Sequence, residues 1–114
     1  MTDSSSRPWR PLTHDHVAAL PGQLGVYEIA DAAGVVQRIG YAGGHDAFGL
    51  RSALAREVDD TGDTAAQFRV EFTHGYLTRW QELLMIHQAQ HGSLPPGNAG
   101  ITVPIGRLNP GGVR

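Results

Sequence analysis

Cysteine and lysine are both absent from this sequence. Without cysteine, the chain has no disulfide, no thiolate zinc site and no cysteine nucleophile. It needs no such covalent support, because 114 residues are enough for one domain with a buried core. The lack of cysteine also suits a reducing cytoplasm, which is the location that we expect.

Long apolar segments are missing as well. No stretch approaches the roughly 20 apolar residues that a membrane-spanning helix requires. Residues 1–10 are polar and lack the apolar centre of a signal peptide. We therefore expect a cytoplasmic protein without a membrane partner.

The chain has no excess of positive charge. Its formal net charge is −2, and all nine basic residues are arginines. This balance weighs against a nucleic-acid binder that works by bulk charge, because neutralisation of phosphates supplies most of that affinity. A local basic face remains compatible with the composition, since the arginine side chain is a planar fork that suits phosphate.

Apolar periodicity and turn residues predict the secondary structure. The clearest strand places Phe68, Val70 and Phe72 at every second position, and the clearest helix places Trp80 and Leu84 on one stripe. The predicted elements are a helix at 14–20, strands at 25–30 and 35–40 around a turn at 31–34, a helix at 48–58, a strand at 66–73 and a helix at 77–91.

This order of elements predicts the fold class and the domain organisation. Two strands joined by a short turn, followed by a third, form a small three-stranded, mainly antiparallel sheet flanked by helices, in an α/β (α+β) fold. We expect a flexible lead-in at 1–12, one domain at 13–100 and a C-terminal tail at 101–114.

Two strand motifs resemble those of the GIY-YIG nuclease superfamily. That family opens with a Gly-Ile-Tyr strand, where this chain has Gly25-Val26-Tyr27. Its next strand carries Tyr-Ile-Gly, where this chain has Arg38-Ile39-Gly40. No single motif is highly specific, so the resemblance depends on their joint order.

The helices extend the resemblance over residues 20–98. In the family, a helix with a catalytic arginine follows the second strand, and a later helix carries a catalytic glutamate. Glu82 occupies the glutamate position. The family commonly continues with proline and asparagine, which Pro95, Pro96 and Asn98 match.

The resemblance implies metal-assisted hydrolysis of DNA phosphodiester bonds. Glu82 would bind one Mg²⁺ or Mn²⁺, since such cations prefer oxygen ligands and act as Lewis acids on phosphate. Tyr27 would help to activate the attacking water, and an arginine would stabilise the transition-state charge. A lone domain of this kind would cut with little selectivity or would rely on a protein partner for specificity.

The chain departs from the family at two catalytic positions. Arg38 stands where the second tyrosine is expected and is itself a candidate clamp for the phosphate. Tyr41 lies three residues further on and is a candidate substitute for the missing tyrosine. The family's arginine falls nearest Ala53, so that Arg51 and Arg56 are both candidates. A two-residue shift turns a helical side chain by about 200°, whereas a three-residue shift keeps it near the original face. Arg51 is slightly favoured, because it lies in the first turn beside a glycine-rich loop.

Other polar residues are candidates for substrate or metal binding. We predict substrate contacts at Gly40 and His45, which lie in the glycine-rich loop, and at Arg56 and Asn98. His87 and His91 have the i, i+4 spacing that suits zinc, but no glutamate follows the first of them as in metalloproteases. The dipole of the helix is an alternative explanation for His91.

The departures leave a second hypothesis open. The chain would then be a catalytically degenerate relative that keeps the cleft and binds a ligand, a protein or nucleic acid without cutting. The arginine register, the net charge and Arg38 favour this alternative.

Overall fold

The structure is a computed structural model that describes residues 8–61 and 66–99. These residues form an α+β domain with one four-stranded antiparallel sheet and three helices. The strands are β1 Arg10–Pro11, β2 Gly25–Ala30, β3 Val36–Ala42 and β4 Gln67–Phe72, and the helices are α1 His14–Ala18, α2 Leu50–Thr61 and α3 Tyr76–His91. A short 3₁₀ turn, Pro96–Asn98, follows α3. The predicted tail at 101–114 lies outside the described residues.

The predicted strands and main helices are confirmed, with small shifts at their ends. Thr13 caps α1 as expected, since its hydroxyl oxygen accepts from the His16 amide at 3.2 Å. Gly92 ends α3 in the left-handed conformation, with φ of 81°. In the described part of the chain, no helix is long and apolar enough to cross a membrane.

The strand order β1-β4-β2-β3 makes β2 the centre of the sheet. Both β3 and β4 run antiparallel to β2. Every residue of β2 is buried. Helices therefore cover both faces of the strand, which explains why Val26 and Ile29 are both apolar although they point to opposite faces.

The structure adds a fourth strand, β1, to the three strands that the sequence predicts. Arg10 pairs with Phe68 in β4, and the Leu12 amide donates to the Ala66 carbonyl at 3.0 Å. The Trp9 ring lies 4.0 Å from the Arg69 guanidinium. Residues 9–12 therefore contact the sheet. A two-residue strand is too short to show a period of two, so the sequence does not predict it.

Each face of the sheet packs against different helices. On one face, Tyr27, Ile29 and Phe68 share a core with residues of α1 and α2. On the other face, Val26 and Ile39 pack against Leu83 and Leu84 of α3. A side chain's position along β2 therefore decides whether it meets α2 or α3.

Asn98 closes the exposed edge of β3. The Ile39 amide donates to Asn98 Oδ1 at 2.8 Å, and Asn98 Nδ2 donates back to the Ile39 carbonyl at 2.9 Å. Trp80 Nε1 donates to the same carbonyl at 2.9 Å. Asn98 is only 1% exposed, so its amide replaces a neighbouring strand in the middle of this edge.

Replacement of Asn98 by alanine should destabilise the domain by about 2 kcal/mol, because the buried Ile39 amide loses its acceptor. Urea unfolding followed by circular dichroism measures this change. Gln90→Ala, at an exposed position of α3, is the control and should alter stability by less than about 0.5 kcal/mol. Equal effects of the two substitutions would contradict the assigned role of Asn98.

Candidate functional site

Tyr27 lies at the centre of the candidate site. Its buried side chain points from β2 towards α2. The ring lies against Gly40 of β3, where any Cβ atom would overlap it, so this position requires glycine. The phenol donates a hydrogen bond to Glu57 Oε2 of α2 at 2.7 Å.

Arg38 binds the same carboxylate from the edge strand. Its Nε lies 3.0 Å from Glu57 Oε2. The Glu57 side chain is 12% exposed and that of Arg38 is 47% exposed. We call Tyr27, Glu57 and Arg38 the Tyr27 cluster. They hold a largely buried carboxylate between a phenol and a guanidinium, which supply the two hydrogen bonds that such burial demands.

An open pocket of about 430 Å³ adjoins the Tyr27 cluster. It lies between α2 and β3 and reaches Trp80 of α3 and the turn at Asn98. The lining side chains and backbone belong to Tyr27, Arg38, Ile39, Gly40, Tyr41, Ala53, Arg56, Glu57, Asp60, Trp80 and Asn98.

The charges around this pocket are mixed. Arg56 Nη2 donates to Asp46 Oδ1 at 2.6 Å, and this hydrogen bond is the main cause that raises the pKa of Arg56. Asp46 also accepts from the Gly43 amide at 3.1 Å, which ties the glycine-rich loop to α2. Glu57 and Asp60 add negative charge to the lining, so the pocket differs from the basic groove typical of a nucleic-acid binder.

The phenol of Tyr27 is a hydrogen-bond donor in this environment. Burial raises the pKa of Tyr27 above its ordinary value of 10.0, and the negative charge of Glu57 raises it further. The phenol is therefore protonated at neutral pH. The ionised form, which a tyrosinate base would require, is therefore disfavoured.

Glu82 lies on the other face of the sheet. Its Oε1 accepts from Arg79 Nη1 at 3.1 Å, and Arg79 Nε in turn donates to Glu71 at 3.0 Å. Glu71 pairs in register with Val26, so it points to the α3 face, opposite Tyr27. The structure does not bring Glu82 and Tyr27 together, and Glu82 is absent from the pocket lining.

The structure does not place Glu82, which the resemblance assigns to the Mg²⁺ or Mn²⁺ ion, in this pocket. Glu82 is 53% exposed and is paired with Arg79. In the pocket, the Glu57 Oε2 atom already accepts from Tyr27 and Arg38. Within 8–61 and 66–99, no group of three or more carboxylates or histidines is placed to hold a metal ion.

Of the two arginine candidates on α2, only Arg56 lines the pocket. Arg51, the favoured candidate, instead packs its guanidinium 5.0 Å from the centre of the Phe48 ring, beside Gly22. Ala53, nearest the family's arginine position, is buried in the pocket wall.

Among the other predicted residues, Tyr41, Gly40 and Asn98 line the pocket, whereas His45 does not. Tyr41 lines the pocket, but its ring stacks on Tyr76 at 5.6 Å and meets the edge of Trp80 at 5.2 Å. Gly40 and Asn98 also line the pocket, in addition to their roles in packing and in closing β3. His45 is exposed in the glycine-rich loop and is not part of the lining.

Glu57 is the main residue that the sequence analysis missed. It lies four residues after Ala53, and hence one turn further along the same face of α2. This spacing from the family's arginine position was the one signal in the sequence that pointed to it. A single glutamate in an amphipathic helix is ordinarily solvated, so the spacing alone carries little weight.

A family model described as "Domain of unknown function (DUF7508)" matches residues 4–90. No curated protein matches the chain significantly. The matched range includes β1 to β4 and most of α3, and therefore contains the complete Tyr27 cluster.

Replacement of Tyr27 by phenylalanine should lower the free energy of unfolding by about 1–2 kcal/mol at pH 7, because a hydrogen bond to a buried carboxylate is lost. The folded-state pKa of Tyr27 lies above its unfolded value, so this contribution is complete below pH 10 and declines above it. Urea unfolding between pH 7 and 11 should show a constant difference from wild type up to about pH 10. A difference that persists unchanged at pH 11 would contradict the assignment.

Proposed function

The chain belongs to the DUF7508 family, a family of unknown function, and we propose that it is a GIY-YIG-like domain that binds a small phosphate-bearing ligand without hydrolysing it. One observation carries this proposal. Arg38 and Arg56 line a pocket that contains Tyr27 and Glu57, while Glu82 lies on the opposite face of the sheet.

The two arginines supply the phosphate-binding groups. Each guanidinium has five N–H donors, and the ion pairs with Glu57 and Asp46 use only part of this set. The side chains are 47% and 64% exposed, so their remaining donors are accessible from the pocket. A phosphate can therefore be bound while both ion pairs persist.

The size and charge of the pocket favour a small ligand. About 430 Å³ lies within the range of small-molecule sites. Glu57 and Asp60 oppose a long polyanion, and the net charge of −2 gives no bulk attraction for nucleic acid. A mononucleotide matches this environment, because Tyr41 and Trp80 offer aromatic surface for a base beside the arginines.

Three features support binding without cleavage. The carboxylate at the family's glutamate position is remote from Tyr27. Ala53 supplies no guanidinium at the arginine position. The Tyr27 phenol donates to Glu57 and is protonated, so it is not available as a base.

Arg56→Glu should weaken mononucleotide binding at least about tenfold, because it places a like charge beside the phosphate. Arg51→Glu is the matched control, since it makes the same charge change on the same helix outside the pocket. Calorimetric titration with the four nucleoside monophosphates measures affinity, and the indole N–H resonance of Trp80 reports occupancy. Equal losses in both variants, or no binding by the wild type at millimolar ligand, would contradict the proposal.

A nuclease is the second candidate, and one observation favours it. Within the described residues, a phenol, a carboxylate and two guanidiniums meet in a single pocket, with Glu57 in place of Glu82. These are the group types that the family uses for phosphodiester hydrolysis. The two candidates are distinguished by assay of branched, nicked and duplex DNA with Mg²⁺ or Mn²⁺.

If the nuclease candidate is correct, Glu57→Gln should reduce cleavage at least about 100-fold, whereas Glu82→Gln should change it less than about twofold. Each variant is first tested for folding by circular dichroism. No cleavage by the wild type across the DNA panel would eliminate this candidate and would agree with the binding-only proposal.

A further inference from the structure

Two histidine rings near the C-terminal end of α3 lie close together, outside the Tyr27 cluster. The ring centres of His87 and His91 are 4.4 Å apart, with 36° between the ring planes. Their i, i+4 spacing on a continuous helix puts both rings on one side, as in helical zinc sites that use two histidines. Neither residue lines the pocket.

The backbone fixes which nitrogen of His87 is available to a metal ion. His87 Nδ1 lies 3.0 Å from the Ser93 carbonyl oxygen. A carbonyl only accepts hydrogen bonds, so Nδ1 carries the proton and Nε2 has a free lone pair when the ring is neutral. This arrangement matches that of metal-bound histidines, whose second nitrogen commonly donates to a carbonyl or carboxylate.

The local charge also suits a cation. His91 is the last residue of α3, where the dipole of the helix presents partial negative charge. The turn that follows, Gly92 and Ser93, carries no charged side chain. Imidazole nitrogen is a preferred ligand of Zn²⁺, Cu²⁺ and Ni²⁺.

We propose that His87 and His91 form a binding site for a divalent transition-metal ion, with water completing the coordination shell. Zinc is the physiological candidate, since it accepts nitrogen ligands in tetrahedral geometry. The ion would fasten the last turn of α3 to the segment that leads to Asn98, through the contact between His87 and Ser93. The site is independent of the proposed ligand pocket.

Calorimetric titration of the 114-residue chain with zinc chloride at pH 7.5 tests this site. We expect binding of one ion per chain at this helix and a rise in melting temperature on addition of zinc. His91→Ala should lower the affinity for zinc at least about tenfold. Removal of a metal ligand weakens binding at least as much as removal of a group that hydrogen-bonds to a ligand. His91 is exposed, so this variant should fold normally.

Two further variants separate the proposed site from other histidines. Ala89→His combined with His91→Ala preserves the number of histidines but moves one ring about 200° around the helix, and it should bind as weakly as His91→Ala. His14→Ala, on α1, should retain wild-type affinity. Nitrogen-detected NMR should show a zinc-dependent shift at His87 Nε2. Unchanged affinity in His91→Ala, or full affinity in the relocated variant, would overturn the proposal.

Discussion

The hydrogen bond from the Tyr27 phenol to the Glu57 carboxylate is the interaction on which the candidate site depends. It joins the central strand to α2. The Tyr27 ring occupies the space that a Cβ atom would take at position 40, so that position requires glycine. The hydrogen bond also keeps Glu57 where Arg38 reaches it. A carboxylate so deeply buried would be costly without these partners, so the phenol and the guanidinium together make the pocket wall possible.

The fold was largely predictable because its main strands and helices carry strong local patterns. Alternation in β4 and the stripe on α3 are properties of neighbouring residues, and the sequence shows them directly. By contrast, β1 has two residues, and its pairing with Phe68 is a contact across the sheet that leaves no periodic trace. The amide of Asn98 that closes the edge of β3 is likewise a long-range contact, between residues 59 positions apart.

The site was less predictable, because it depends on which face of the sheet each element covers. The motif order singled out Tyr27, Arg38, Gly40 and Arg56, and these residues line one pocket. It did not reveal that α3 packs on the Val26 face, which removes Glu82 from Tyr27. Nor did it identify Glu57, which acquires its importance only when α2 packs across the Tyr27 face.

A double-mutant cycle between Tyr27→Phe and Glu57→Gln, measured by urea unfolding at pH 7, shows whether the two side chains interact. We expect a coupling free energy of about 1 kcal/mol or more, since the two groups share one buried hydrogen bond. The parallel cycle between Tyr27→Phe and Glu82→Gln should be additive within about 0.5 kcal/mol. Additivity in the first cycle together with coupling in the second would mean that Glu82, not Glu57, faces Tyr27, and would contradict the account.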